Sequence, residues 1–220
     1  LMYSQADEEK CGMVLALVEE ELRKDELARE RSYRRGVELL ERGKCSAAVK
    51  KLTEAIVEGE RAADAHAGRA DAYYRLRKYR EALTDYEKAL ELNYEHPELL
   101  FFSMACAKEE LGDLEGALGV YSAIIEDDPD EPAAYNNRGR LYFERGRLEE
   151  ASADFEAAIA LDPGYSTPYF NRGNLRAARG DVDGGADDIR RAAKLNPEKT
   201  FTDLLFHTER QLPWPRHLAA

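Results

Sequence analysis

One interval governs this chain: residues of matching type recur every 34 positions. The set Tyr135, Arg138, Gly139, Tyr142, Ala151, Phe155, Ala158 and Pro163 lands, 34 residues on, upon Tyr169, Arg172, Gly173, Arg176, Gly185, Ile189, Ala192 and Pro197. The same step backwards reaches Phe101, Met104, Ala105, Lys108, Ala117, Tyr121, Ile124 and Pro129. One residue more is needed to reach His66, Arg69, Ala70, Tyr73, Ala82, Tyr86, Ala89 and Pro97, and a last step reaches Ser32, Arg35, Gly36, Leu39, Ala48, Leu52 and Ala55. Five units follow: 29–62, 63–97, 98–131, 132–165 and 166–199. A fixed period of this length limits the chain to architectures in which each unit stacks on its neighbours.

Within a unit, two apolar stripes have helical spacing, as in Tyr135, Gly139, Tyr142 and then Ala151, Phe155, Ala158. A glycine-bearing turn parts them at Gly43, Gly112, Gly146 and Gly180. Small residues such as Gly139 and Ala158 let the helices approach, while Tyr142 and Phe155 fill the space between neighbours. Proline after the second helix stops it, and Asp113 and Asp181 stand where N-caps belong, each worth about 1 kcal/mol. One helix pair cannot bury its own apolar face, but stacked pairs can.

An internal pattern of charge accompanies the repeat. The seventh position of repeats 2, 4 and 5 is Arg69, Arg138 and Arg172, and the twenty-third is Asp85, Asp154 and Asp188. Repeat 3 has Met104 and Val120 there, and repeat 1 has Arg35 facing Lys51. The pattern predicts an ion pair between the two helices of each of those three repeats.

These residues together resemble the tetratricopeptide repeat (TPR) family, whose signature is an aromatic, Leu-Gly, an aromatic, Ala, Phe, Ala and Pro. The resemblance implies an all-α, right-handed α-solenoid of five helix-turn-helix units, with an N-terminal helix and a C-terminal capping helix. It covers about three quarters of the chain. Repeat 1 lacks the first aromatic and the closing proline, and in repeat 5 Gly185 replaces the usual alanine.

The ends lie outside the period. Residues 1–28 hold an amphipathic helix, with Cys11, Leu15, Val18 and Leu22 on one face and Glu19, Glu20, Glu21, Asp25 and Glu26 on the other. Three placements are open to it: a cap over repeat 1, a dimerisation seam, or a helix folded into the chain's own groove. Residues 200–220 hold a capping helix that starts at Thr200 and Asp203 and bears Phe201, Leu204 and Leu205. A Pro213-Trp214-Pro215 tail follows, with Trp214 either packed as a latch or loose.

Composition narrows the function. With 32 basic and 44 acidic residues the net charge is -12, which repels a polyanion and argues against nucleic acid. No apolar run approaches the ~18 residues of a membrane span, and no basic stretch with an apolar h-region marks a secretory signal. Three widely spaced cysteines, Cys11, Cys45 and Cys106, read as reduced thiols in the cytoplasm. The four histidines are scattered, no hydrolase, zinc or phosphate-loop motif is present, and Asp181–Asp188 lacks the spacing of a calcium loop. No enzyme activity, catalytic residue, metal or cofactor is expected.

What remains is binding. The resemblance implies that positions 2, 5, 6, 9, 12 and 13 of each repeat tend to face a concave groove. Mapped here, they give a peptide-binding set of Tyr74, Phe102, Asn136, Asn137, Arg140, Phe143, Phe170, Asn171 and Asn174. Asparagine both donates and accepts, so it can pair with any peptide backbone. Asn137 and Asn171 share the sixth position of adjacent repeats, and the phenylalanines would form apolar pockets between them. The family's clamp for acidic chaperone tails is disfavoured, since no register supplies its basic residues, and only Arg140 would meet an acidic group. Residues 98–131 hold ten acids and one base, whereas 29–62 hold nine bases and six acids, so a basic partner could dock on repeat 3. The expected function is a non-enzymatic protein–protein interaction scaffold that binds a peptide segment or helix of a partner. The alternatives are a self-associating assembly module that uses the N-terminal helix, and one domain of a larger protein.

Overall fold

A computed structural model describes residues 17, 18, 20, 31–59 and 61–197. The proposed capping helix, the Pro-Trp-Pro tail and most of the N-terminal helix lie outside the described residues. Every regular element among the described residues is helical. The chain forms two compact units, one up to Leu111 and one from Gly112 onward. Unit 1 holds α1 (helical over 31–41), α2 (Cys45–Glu58), α3 (Ala62–Arg75), α4 (Tyr79–Glu91) and α5 (Pro97–Glu110). Unit 2 holds α6 (Leu114–Asp127), α7 (Pro132–Glu144), α8 (Leu148–Leu161), α9 (Ser166–Ala178) and α10 (Val182–Leu195).

The turns follow from backbone chemistry. Between α7 and α8 the chain reverses through Gly146 at φ 73°, a left-handed conformation that costs glycine nothing. Repeat 2 asks the same of Arg77, which sits at φ 59° without that freedom. Asp113 and Asp181 cap α6 and α10, their Oδ1 atoms accepting from the backbone N–H of Gly116 and Gly184 at 3.0 Å. The extra residue of repeat 2 is absorbed after α4. There Asn93 turns left-handed (φ 57°), and the Tyr94 N–H donates back to the Ala89 carbonyl at 3.1 Å. Pro97 therefore does not end that repeat's second helix; it opens α5 at its first turn, where a missing N–H is harmless.

The apolar stripes form the core. In unit 1, Ala48, Leu52, Ala55 and Ala65 are fully buried in one cluster, and Ala70, Ala82, Tyr86 and Ala89 lie in a second. In unit 2, Ala151, Phe155 and Leu175 are sealed, with Tyr142 and Phe143 packed against them. Alternate helices also touch, α3 with α5 and α7 with α9. This brings the first helices of successive repeats side by side. Repeat 5 closes on two glycines: a Cβ on Gly173 would lie 2.9 Å from the Gly185 carbonyl oxygen, and one on Gly185 would lie 2.7 Å from that of Gly173. Gly185 thus departs from the repeat's alanine because backbone presses on backbone.

The three expected ion pairs are present. Arg69 donates through Nε and Nη2 to both oxygens of Asp85 at 2.7 Å. Arg138 does the same to Asp154, and Arg172 to Asp188, at 2.8 Å throughout. The aspartates are 4–6% exposed, so these are buried bidentate pairs between the two helices of one repeat. Hydrogen bonding to the carboxylate raises each arginine above its ordinary pKa, against the opposing effect of burial. Two of the arginines also reach the preceding repeat: Nη1 of Arg69 donates to Thr53 Oγ1 at 3.0 Å, and Nη1 of Arg138 to Ser122 Oγ at 3.2 Å. Asp85 and Asp188 each gain a second neighbour, His66 Nδ1 at 2.8 Å and Arg176 Nη1 at 3.0 Å.

Removing one member of such a pair strands a buried charge, whereas replacing both with apolar residues need not cost stability. Arg138→Met should lower unfolding stability by about 3–5 kcal/mol. Arg138→Met/Asp154→Val, which copies Met104 and Val120 of repeat 3, should recover most of that loss in urea denaturation. Gly185→Ala restores the alanine of the other repeats, yet it should destabilise by about 1–3 kcal/mol through overpacking, read as a lower thermal midpoint.

Candidate functional site

The first helices carry the residues that the sequence singles out for binding. In unit 2 these lie on α7 and α9. Asn171 Nδ2 donates to Asn136 Oδ1 at 2.9 Å, and Asn136 Nδ2 donates to Asn137 Oδ1 at 3.1 Å. The three amides form a relay across the two helices. Asn136, at its centre, is 2% exposed and has donated and accepted within the protein. Its place in the binding set is corrected: it supports the surface and does not present one. Phe170 is likewise corrected, being 7% exposed and buried within the helical stack.

Asn137, Asn171 and Asn174 are half-buried, with part of each side chain at the surface. Asn137 Nδ2 and Asn171 Oδ1 are the amide atoms that the relay does not use. One is a donor and the other an acceptor, which suits the C=O and N–H of an extended backbone. Phe143, on α7 with Asn137, packs against the Phe155 cluster and is half-buried. Arg140 is half-buried on α7. Its guanidinium pairs with Glu144, one turn along α7, so its charge is already balanced and an incoming acid would have to displace that carboxylate.

Unit 1 places Tyr74 on α3 and Phe102 on α5, both half-buried. The Tyr74 ring meets Tyr79 edge-on, 5.4 Å between centroids. Burial, followed by the nearby Cys106 and Glu110, pushes the Tyr74 phenol up to about 12. It stays neutral and acts as a donor at any physiological pH. Beneath it lies a contact the sequence reading did not single out: Tyr86 donates its hydroxyl to Asp71 Oδ1 at 2.6 Å. Burial raises the Asp71 carboxyl above its ordinary value, with the Tyr86 hydrogen bond and Arg75 opposing. Its signal in the sequence was an acid fifteen residues before a core tyrosine.

Among the described residues no group of His, Cys, Asp and Glu has the arrangement of a metal site. Cys45 and Cys106 form no disulfide. No helix among the described residues is long and apolar enough to cross a membrane.

Comparisons with known proteins agree with this fold. Residues 102–166 match one family model of the tetratricopeptide repeat, and residues 63–93 match another. Among solved structures, MamA from Desulfovibrio magneticus RS-1 (residue 41 to its end) is 20% identical with a TM-score of 0.68, covering 78% of this chain and 97% of that one. YrrB, described as a TPR protein with an unusual peptide-binding site, is 22% identical with a TM-score of 0.59, over 79% of this chain and 88% of its own. TTC0263 of Thermus thermophilus, a thermophilic TPR protein, is 21% identical with a TM-score of 0.60, over 82% and 97% respectively. The comparison with curated proteins found no match. Residues 63–93 and 102–166 therefore carry tetratricopeptide repeats, and the all-helical fold is like that of these solved TPR proteins. Such repeats are a scaffold for protein–protein interaction.

Asp71 gives the region a pH dependence with a definite sign. Its folded-state pKa is raised, so the folded form keeps a proton that the unfolded chain has lost, and stability from this group falls as pH rises above the ordinary value of 3.8. Asp71→Asn keeps the oxygen that accepts from Tyr86 and removes the charge. Relative to the parent, the variant should gain stability between acidic and neutral pH, as checked by urea unfolding at both.

Proposed function

We propose that α7 and α9 bind the backbone of an extended segment of a partner protein, through Asn137, Asn171 and Asn174. The amide relay carries this reading. Asn136 holds both outer amides in place, so their remaining donor and acceptor are pre-oriented, and less ordering entropy is lost on binding. Backbone pairing of this kind gives affinity irrespective of sequence, and Phe143 would supply an apolar contact for alternate side chains. In unit 1, Tyr74 and Phe102 would add an aromatic surface of their own. The reading is of a non-enzymatic scaffold in a reducing, cytoplasmic setting, which suits Cys45 and Cys106 as cysteines outside any disulfide.

A second reading has one observation in its favour. Leu17 and Val18 are helical and 60% and 50% exposed, which suits self-association through the N-terminal helix.

The discriminating experiment is affinity capture from source-cell lysate by the parent and by Asn137→Ala/Asn171→Ala, checked for equal helicity. A peptide from the captured partner is then titrated against both. Two lost amide–backbone hydrogen bonds at about 0.5–1.5 kcal/mol each should weaken binding by about tenfold or more. Equal affinity in both proteins would remove the amide surface as the site. A dimeric sedimentation mass in that case would favour self-association.

A further inference from the structure

Repeat 1 breaks the ion-pair pattern in one direction only. Arg35 keeps the seventh position, but Lys51 stands at the twenty-third, where repeats 2, 4 and 5 have aspartate. Two bases therefore face the interhelical position that elsewhere holds a base and an acid. Each pairs instead along its own helix, Arg35 with Glu38 at 2.7 Å and Lys51 with Glu54 at 2.5 Å, with side chains 41–50% exposed. Exposed pairs of this kind hold their partners weakly, at about 0–1 kcal/mol, so an incoming anion can displace them. Arg31, Ser32, Arg34, Arg35 and Glu38 of α1 and Lys51 of α2 line a cleft of about 720 Å³. Four of the six are basic and one is acidic, in a chain whose net charge is -12.

We propose that this cleft binds the carboxylates of an acidic peptide segment from a partner protein. The chain itself shows how the arginine at this position behaves: in repeats 2, 4 and 5 it grips a carboxylate by two hydrogen bonds of 2.7–2.8 Å. Arginine's planar fork fits that group, and Lys51 adds a mobile point charge beside it. The volume lies in the range of about 300–1,000 Å³ typical of ligand pockets, enough for side chains and not merely a lone ion. A long polyanion such as nucleic acid would be repelled by the rest of the acidic chain, whereas a short acidic segment would meet four bases and one acid, Glu38. The site belongs to α1 and α2 of unit 1 and is independent of the asparagine surface of unit 2.

The test titrates a fluorescein-labelled, glutamate-rich dodecapeptide into the full chain at low salt. The parent should bind it, and added salt should weaken binding. Lys51→Asp supplies the carboxylate that the other repeats carry. It should weaken binding by about tenfold or more while leaving the urea unfolding midpoint unchanged or higher, which separates loss of the site from loss of the fold. Arg31→Gln/Arg34→Gln should weaken binding as well. No binding to the parent, or unchanged affinity in Lys51→Asp, overturns the proposal. A companion variant, Glu19→Gln/Glu20→Gln/Glu21→Gln, addresses the chain's own acidic run. Binding seen only in that variant would assign the cleft to this internal segment and likewise overturn it.

Discussion

A guanidinium held flat against a carboxylate, across two helices and away from water, is the contact that sets the geometry of repeats 2, 4 and 5. Two helices joined by a short turn can slide or rotate against each other, and small apolar residues such as Ala82 and Ala89 do little to stop them. A bidentate pair stops both motions, because it requires two donors and two acceptors to align at once. Arg69, Arg138 and Arg172 each do this with an aspartate sixteen residues on. In two cases the third arm of the arginine reaches a hydroxyl of the repeat before. The pair within a repeat and the joint between repeats are thus fixed by one side chain. Tyrosine rings complete its surroundings: the guanidinium groups lie 5.7–5.9 Å from the ring centres of Tyr73, Tyr135, Tyr142 and Tyr169, adding cation–π attraction.

The sequence made most of this legible because the relevant distances are local. A 34-residue period sets which helix follows which, and positions seven and twenty-three fall opposite each other whenever a helix pair closes. Asp113 and Asp181 were readable as caps for the same reason. The binding surface was harder to read. Whether a position on a first helix faces outward depends on how the next repeat covers it, and that is not local. Asn136 and Phe170 both occupy the fifth position, and both are covered, whereas Asn137 and Asn171 at the sixth keep part of their amides at the surface. The partner of Arg140 was within reach of the sequence, since Glu144 is four residues along the same helix face; the groove mapping gave no weight to pairs within a helix. The Gly173–Gly185 contact required coordinates, because only the approach of two backbones explains why an alanine is missing.

Polar chemistry on this protein is therefore divided by depth. Carboxylates that are buried are matched, by arginine at Asp85, Asp154 and Asp188 and by a tyrosine hydroxyl at Asp71. The outer amides, Asn137 and Asn171, sit at intermediate depth, tied through the buried Asn136 and still able to accept a backbone. Of the seventh-position arginines, the one that lacks an aspartate at the twenty-third position is Arg35 of the first repeat. Each layer has its own response to solution conditions. Deep pairs are shielded from salt, the amides carry no charge to screen, and the basic cleft is the part that ionic strength controls.

The confinement of each buried arginine–aspartate pair to a single repeat has a consequence for the history of such chains. Acid and base of these pairs travel together on one stretch of about 34 residues, so duplication or loss of a whole unit leaves no buried half-pair behind. The same arginines cross a repeat boundary only to a neutral hydroxyl, whose partner can change at small cost, and the ion pairs that do cross, Arg145 with Glu115 and Arg179 with Glu149, have exposed carboxylates. An array wired in this way can lengthen or shorten by unequal recombination and still fold in its first generation.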